Sequence, residues 1–179
     1  VARPLLALVL SVIIPACSED TAPTHLGWAA PATLEDSTYA NGHPLALNAS
    51  QDAALEDAQY LELAKYRAAL GLPPLMRDLA AEALARAYSK HMSVEPFFSH
   101  TDPEGDELDD RALRASGHYP YIRVRENLYY GASAAGAMAA FIASPTHRAN
   151  LEATDITAVG IGVWFDGATY YVTQEFFYR

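Results

Sequence analysis

The chain has a single cysteine, Cys17, so no disulfide can form within it and its fold must be held by a hydrophobic core. Cations are also scarce: 12 Lys and Arg stand against 22 Asp and Glu, for a net charge of −10. So acidic a surface argues against nucleic acid and anionic membrane surfaces as direct partners. The apolar run Leu5–Ile14 falls short of the roughly 20 residues that a spanning helix needs. Internal repeats are missing, and so are H-E-x-x-H and C-x-x-C. No serine sits in a strand-turn-helix elbow, which leaves no visible nucleophile. The acid run "DPEGDELDD" does not fit an EF-hand loop, since Gly105 comes too early and no Glu closes it. It reads as a solvated helix start, with acids favoured near the positive end of the dipole.

What is present begins with a leader. Arg3, the apolar run and the small residues before Cys17 have the shape of a secretory signal. "Ile14-Pro15-Ala16-Cys17" resembles the lipobox of bacterial lipoproteins. That resemblance implies cleavage before Cys17, lipid on Cys17, export, and a membrane partner held through the anchor at the cell envelope. Ser18 after the cysteine points to the outer membrane. Residues 18–50 are rich in Ala, Pro, Thr, Ser and Asn and read as a tether. The expected organisation is therefore a signal at 1–16, a lipidated cysteine and tether at 17–50, and one folded domain at 51–179, acting as a monomer.

Within the domain, helices come first. Ala54, Ala58, Leu61, Ala64 and Ala68 recur at helical spacing and predict a helix over 52–70, stopped by Gly71 and Pro73-Pro74. Asp78 is an N-cap for a second helix running to Met92. A third is expected over about 107–115. The period changes over 121–130, an alternating aromatic strand. Residues 133–143 are Ala-rich and helical, and Ser144-Pro145 opens a short helix with His147, Arg148 and Asn150. "AVGIGVWF" and "ATYYVTQEFFY" are strands joined through Asp166-Gly167, a two-residue hairpin signal. Helices first, strands late and no regular βαβ crossovers indicate α+β: a small, largely antiparallel sheet with a C-terminal hairpin.

Candidate chemistry centres on "FFSHTDPEG", where two aromatics that favour burial precede Ser99-His100 and a turn. His100, Glu126 and His147 all fall in loops or at element ends, where sites are built. Two imidazoles and a carboxylate can form a first shell for zinc. Their separation in sequence equally fits a hydrogen-bonded set that ties loops to the sheet. Ser99 and Asn127 are expected either to orient His100 and Glu126 or to cap loops. Arg67 is expected to pair with a carboxylate or reach water, and Arg148 to pin its helix near Asp155. His91 continues an apolar helical face and reads as packed. Tyr129, Tyr130, Trp164, Tyr170 and Tyr171 belong either to a ligand groove or to the core.

The segments "KYRAALGLPPLMRDLAAEALARAYSKHM", "FFSHTDPEG", "RVRENLYYG", "SPTHRANL", "VGIGVWF" and "YYVTQEF" occur in this order. As a set they resemble the bacterial branch of the CAP superfamily, the cysteine-rich secretory, antigen 5 and pathogenesis-related 1 proteins. The resemblance implies an α-β-α sandwich with a cleft lined by two histidines and one or two glutamates. It carries His100, Glu126 and His147 to that cleft. No residue between Ala134 and Ser144 matches the family's second glutamate, Ala64 stands where Asn is frequent, and Phe141 stands where Trp is common. The family is associated with binding lipids, sterols, proteins or wall components. A non-enzymatic binding module for a lipid, glycan or protein, with zinc as a possible cofactor, is therefore the leading expectation. A metal-dependent hydrolase in the same cleft is the alternative. It is the weaker one, because a Glu126 that serves as base leaves only two firm ligands.

Overall fold

The computed structural model describes residues 45–116 and 123–178, with side chains described for 52–114 and 123–178. The expected signal, Cys17, the tether up to residue 44, and His25, His43, His118 and Tyr121 lie outside the described residues. The elements run α1 Leu45–Ala69, β1 Met76–Arg77, α2 Leu79–Val94, α3 Leu108–Ser116, β2 Arg123–Gly131, α4 Gly136–Ala143, α5 Pro145–Glu152, β3 Ala158–Phe165 and β4 Tyr170–Tyr178. The sheet has the order β1-β3-β4-β2. β3–β4 and β4–β2 pair antiparallel, while β1 pairs parallel to β3. This is the α+β arrangement expected, with β1 as an addition: two residues are too few to show alternation.

The sheet is covered on both faces. On one, Leu63, Phe141, Leu151, Val159, Ile161, Val163, Val172 and Phe176 form the main core with α1, α4 and α5. On the other, Ala81, Leu84, Leu108, Ala112 and Phe177 join α2 and α3 to the sheet. Gly160 and Gly162, two apart on β3, lie on the α2 side. A Cβ at either would overlap the backbone of α2, at Ala81–Glu82 and at Ala85–Arg86 respectively. The "VGIGV" pattern is therefore the seat of that helix.

Several local readings hold. Asp78 Oδ1 accepts from the amides of Ala80 and Ala81 at 3.0 and 3.2 Å, capping α2. Pro145 stands at the first turn of α5. The last hairpin turns through four residues rather than two. Asp166 Oδ1 accepts from the amides of Ala168 and Thr169 at 2.8 Å each, and this side-chain turn delays pairing until Tyr170.

Helix α1 differs more. It begins at Leu45, ahead of the expected 52. The expected alanine stripe is not its inner face: Ala54, Ala58 and Ala68 are exposed, and so is Leu61. Asp52, Glu56, Gln59, Leu63 and Arg67 are buried instead. Glu56, Gln59 and Arg67 find partners across the fold. Glu56 pairs with Arg86 and accepts from the Val163 amide, and Gln59 Nε2 donates to the Ala134 carbonyl. Arg67 is buried, and among the described residues its partners are carbonyls rather than a carboxylate. It donates to the carbonyls of Leu151 and Ala153 at 2.7 and 2.9 Å and to Pro73 at 3.0 Å, closing the end of α5.

Candidate functional site

The loop between α2 and α3 is fixed before it can present a histidine. Phe97 and Phe98 are half-buried and pack against Tyr88, Met92 and Leu128. The Tyr88 hydroxyl donates to the Ser99 carbonyl at 2.7 Å. The Ser99 hydroxyl accepts from the Thr101 amide at 3.2 Å, so it caps the loop. The turn Asp102–Gly105 closes with the Gly105 amide on the Asp102 carbonyl at 3.0 Å, and Gly105 takes a positive φ of 91°.

His100 emerges from this loop half-exposed, and its Nδ1 lies 2.8 Å from Glu126 Oε1. Glu126 sits on the edge strand β2 with its side chain 5% exposed. Its other oxygen accepts from Arg111 Nη2 at 2.5 Å. Arg111 is 1% exposed, lies with its guanidinium 3.5 Å from the centre of the Tyr88 ring, and donates to the carbonyls of His100 and Asp106. One cation thus holds the loop backbone and the glutamate together. Arg111 is a site residue that local sequence pattern does not single out. A cue was its position beside Leu108 and Ala112, at helical spacing on the apolar face of α3.

His147 approaches the same strand edge from α5. Burial pushes its pKa below the ordinary imidazole range, and the charge of His100 lowers it further. The Phe141 ring meets the His147 ring edge-on, 5.4 Å between centroids. Asn127, adjacent to Glu126, points to the opposite sheet face. Its Nδ2 donates to the His147 carbonyl and to Gln174 Oε1, both at 3.2 Å, so it positions α5 rather than Glu126. Asn150 donates to the Glu126 carbonyl at 3.0 Å and to Asn127 Oδ1 at 2.9 Å, the backbone role expected of it. Arg148 does not reach Asp155. That carboxylate is held by Arg123 and Arg125, and Arg125 and then Arg123 depress it to about 2.

For a metal, the trio is a poor fit as it stands. Both Glu126 oxygens are engaged, one by an imidazole nitrogen and one by a guanidinium. The group of His, Asp and Glu side chains among the described residues whose ligand atoms all lie within 4.8 Å of one another is His91, Asp102 and Glu104. That group could hold a metal ion. Asp102 is buried, against the expectation of a solvated acid run, while Asp109 and Asp110 do stand at the start of α3.

Beneath Glu126 lies Glu175, its partner in register across β4 and wholly buried. Neither of its oxygens makes a hydrogen bond among the described residues. Burial raises its pKa well above the ordinary value and Glu126 raises it further, against a smaller opposing effect of Arg111. Above pH 4.5 the unfolded chain sheds this proton while the native state keeps it. Stability should therefore fall as pH rises from there towards the native pKa, by up to about 1.4 kcal/mol per unit. Glu175→Gln should make that slope shallower in urea titrations between pH 4 and 8, with no advantage below pH 4.5; the remaining slope comes from Asp52, which burial raises to about 6. Equal slopes in both proteins would mean that Glu175 is ionised in the fold.

Next to the site, Met92, Phe97, Phe98, Tyr130 and Tyr171, together with the polar Ser93 and Glu95, line an open groove of about 440 Å³. Tyr130 is 51% exposed, meets Phe98 edge-on at 4.7 Å and stacks towards Tyr171 at 6.5 Å. Tyr129 and Tyr170 pack on the main core, and Lys90 sits over the Trp164 ring at 5.0 Å. The aromatic strands thus serve both core and groove.

A family model for the cysteine-rich secretory protein family, CAP, matches residues 61–176. Among solved structures, an outer surface protein of Borrelia burgdorferi superposes with a TM-score of 0.65 at 23% identity, covering 70% of this chain and 93% of that one. An extracellular SCP-domain protein of Bacillus anthracis gives 0.62 at 25% identity, over 74% of this chain and 42% of that one. A cysteine-rich secretory protein of Staphylococcus aureus gives 0.56 at 20% identity, over 78% and 42%. The chain thus spans less than half the length of the last two. No curated protein matches it.

Proposed function

The chain belongs to the cysteine-rich secretory protein (CAP) family, and on that premise we propose that it is a non-enzymatic binding module of the bacterial cell envelope. The observation that carries this reading is the state of Glu126. Its carboxylate is occupied by Arg111 on one oxygen and His100 on the other. A general base must have a free lone pair aimed at water or substrate, and a zinc ligand must have one aimed at the ion. Each oxygen keeps a second lone pair, but with one turned to His100, the other to Arg111 and the side chain only 5% exposed, the carboxylate is committed to bracing the loop. A divalent ion in this cleft would have only the two imidazoles as firm ligands, which supports weak binding rather than hydrolysis.

The ligand class follows from the neighbouring groove. Its lining combines apolar and aromatic side chains with polar groups at Ser93, Glu95, Tyr130 and Tyr171. Pockets of this kind gain affinity from buried apolar surface and take orientation from a few polar groups. An acyl chain in the groove, with a polar head towards His100 and His147, satisfies both. A fluorescent fatty-acyl probe should bind the wild type, and Tyr130→Ser should weaken it by about tenfold or more, the worth of one buried side chain. Equal affinity in both would remove the lipid from the groove. Retention on envelope glycan or protein in place of the probe would move the ligand to those classes.

The extracellular and surface relatives support an exported location, and no helix of the described residues is long and apolar enough to cross a membrane. The lipobox-like "Ile14-Pro15-Ala16-Cys17" supports anchoring through lipid on Cys17. Cys17→Ala should shift the protein from the membrane fraction to the soluble one, or block its maturation. A wild type that is soluble with an unmodified thiol would contradict the anchor.

A further inference from the structure

We propose that His91, Asp102 and Glu104 form a structural site for a divalent transition metal of the zinc type, one that clamps the His100 loop to the end of α2. The site is separate from the cleft and does not depend on the binding role.

One ligand atom from each residue lies within 4.8 Å of the other two. Zinc bonds of about 2.0–2.2 Å to nitrogen and oxygen need ligand atoms about 3–4 Å apart, which small side-chain rotations provide. Asp102 is only 4% exposed. Its Oδ1 accepts from the Asp106 amide at 2.7 Å, whereas its buried Oδ2 makes no hydrogen bond among the described residues. Glu104 Oε2 is likewise buried and without a hydrogen bond there. Two inward carboxylate oxygens without donors, beside an imidazole, are a costly arrangement unless a cation neutralises them.

The donor set selects the ion. One imidazole and two carboxylates carry two negative charges, matching a divalent ion, and imidazole favours zinc and its neighbours over magnesium or calcium. Calcium seeks six to eight oxygens, which three side chains in this geometry do not supply. Three protein ligands leave room for water as the fourth.

The location gives the role. His91 lies on the last turns of α2 and packs edge-on to Phe97 at 4.8 Å, while its Nε2 lies 3.5 Å from Glu95 Oε1. Asp102 and Glu104 belong to the turn just after His100. A metal joining them would close the loop that carries His100 onto the helix where it starts.

The test is a calorimetric titration of the full-length protein with Zn²⁺. The wild type should bind one ion at this site, and Asp102→Asn and Glu104→Gln should each weaken that binding by at least about tenfold. Glu104 is half-buried, so its variant remains informative if Asp102→Asn fails to fold. His100→Ala/His147→Ala should retain the site, and Ca²⁺ should not replace Zn²⁺. In the wild type, zinc should also slow proteolysis within residues 97–107, and Glu104→Gln should lose that protection. No zinc binding by the wild type would overturn the proposal. So would unchanged affinity in Glu104→Gln, or loss of all binding in the cleft double variant.

Discussion

Arg111→Ala should lower the stability of the fold by about 3–5 kcal/mol, the range for removing one partner of a buried ion pair. The substitution leaves Glu126 buried without its cation and removes the charge that offsets Glu126 at Glu175. It also frees the carbonyls of His100 and Asp106, which Arg111 Nη1 holds at 2.9 and 3.2 Å, and removes the guanidinium from the Tyr88 face. Arg111→Lys should recover only part of this, since an ammonium cannot span a carboxylate and two carbonyls with the fixed fork of a guanidinium. Urea unfolding reads the stability, and protease sensitivity within residues 97–107 reads the loop. His100→Ala is the contrast. His100 is half-exposed, and its loss should move stability by less than about 1 kcal/mol. Equal costs for the two variants would contradict the bracing role of Arg111.

Gly162→Ala should destabilise by about 3 kcal/mol or more, at the upper end for overpacking. A methyl there meets helix backbone, not a side chain that can swing aside. The helix must therefore move as a body, taking Tyr88, Met92 and Ser89 with it. Ser89 shows the closeness of the seat: its hydroxyl donates to the Gly162 carbonyl at 3.1 Å and lies 2.8 Å from Thr173 Oγ1. Gly160→Ala should act alike for the first turn of α2. Together the two should exceed what a domain with a few kcal/mol of net stability tolerates. Gly167, whose added Cβ would meet nothing within 4 Å, is the control. Its φ of 103° makes substitution strained, but only locally. Circular dichroism and urea unfolding would separate these cases. A Gly162→Ala protein within about 1 kcal/mol of the wild type would show that α2 is not seated on the glycines.

The features legible in the sequence are those in which neighbouring residues determine the backbone. Asp78, Ser144-Pro145 and Asp166-Gly167 act through caps, a fixed φ and a short side-chain turn, and each marks an element end in the fold. The family resemblance implied His100 and Glu126 in one cleft, and the fold brings them to 2.8 Å. The features that were not legible depend on partners far along the chain. Helix α1 shows solvent Ala54, Ala58 and Ala68 and buries Asp52, Glu56, Gln59 and Arg67, which apolar periodicity assigns to the outside. Their partners, such as the Val163 amide and the Leu151 carbonyl, are a hundred or so residues away in the chain. Arg111 and Glu175 escape for the same reason: hydropathy expects charge at the surface, and only the assembled sheet supplies the neighbours that make burial possible. Asp102 looked like part of a solvated run because five acids follow it. Its own position is fixed by the turn to Gly105, which folds it inward.

The central claim is that Glu126 braces a binding cleft and does not act as a base. The measurement that tests it most directly is turnover of peptide and ester substrates by the wild type and by Glu126→Gln, with and without added zinc. The account predicts no turnover above the uncatalysed rate in either protein. Robust turnover by the wild type that Glu126→Gln abolishes, while both proteins remain folded, would contradict it.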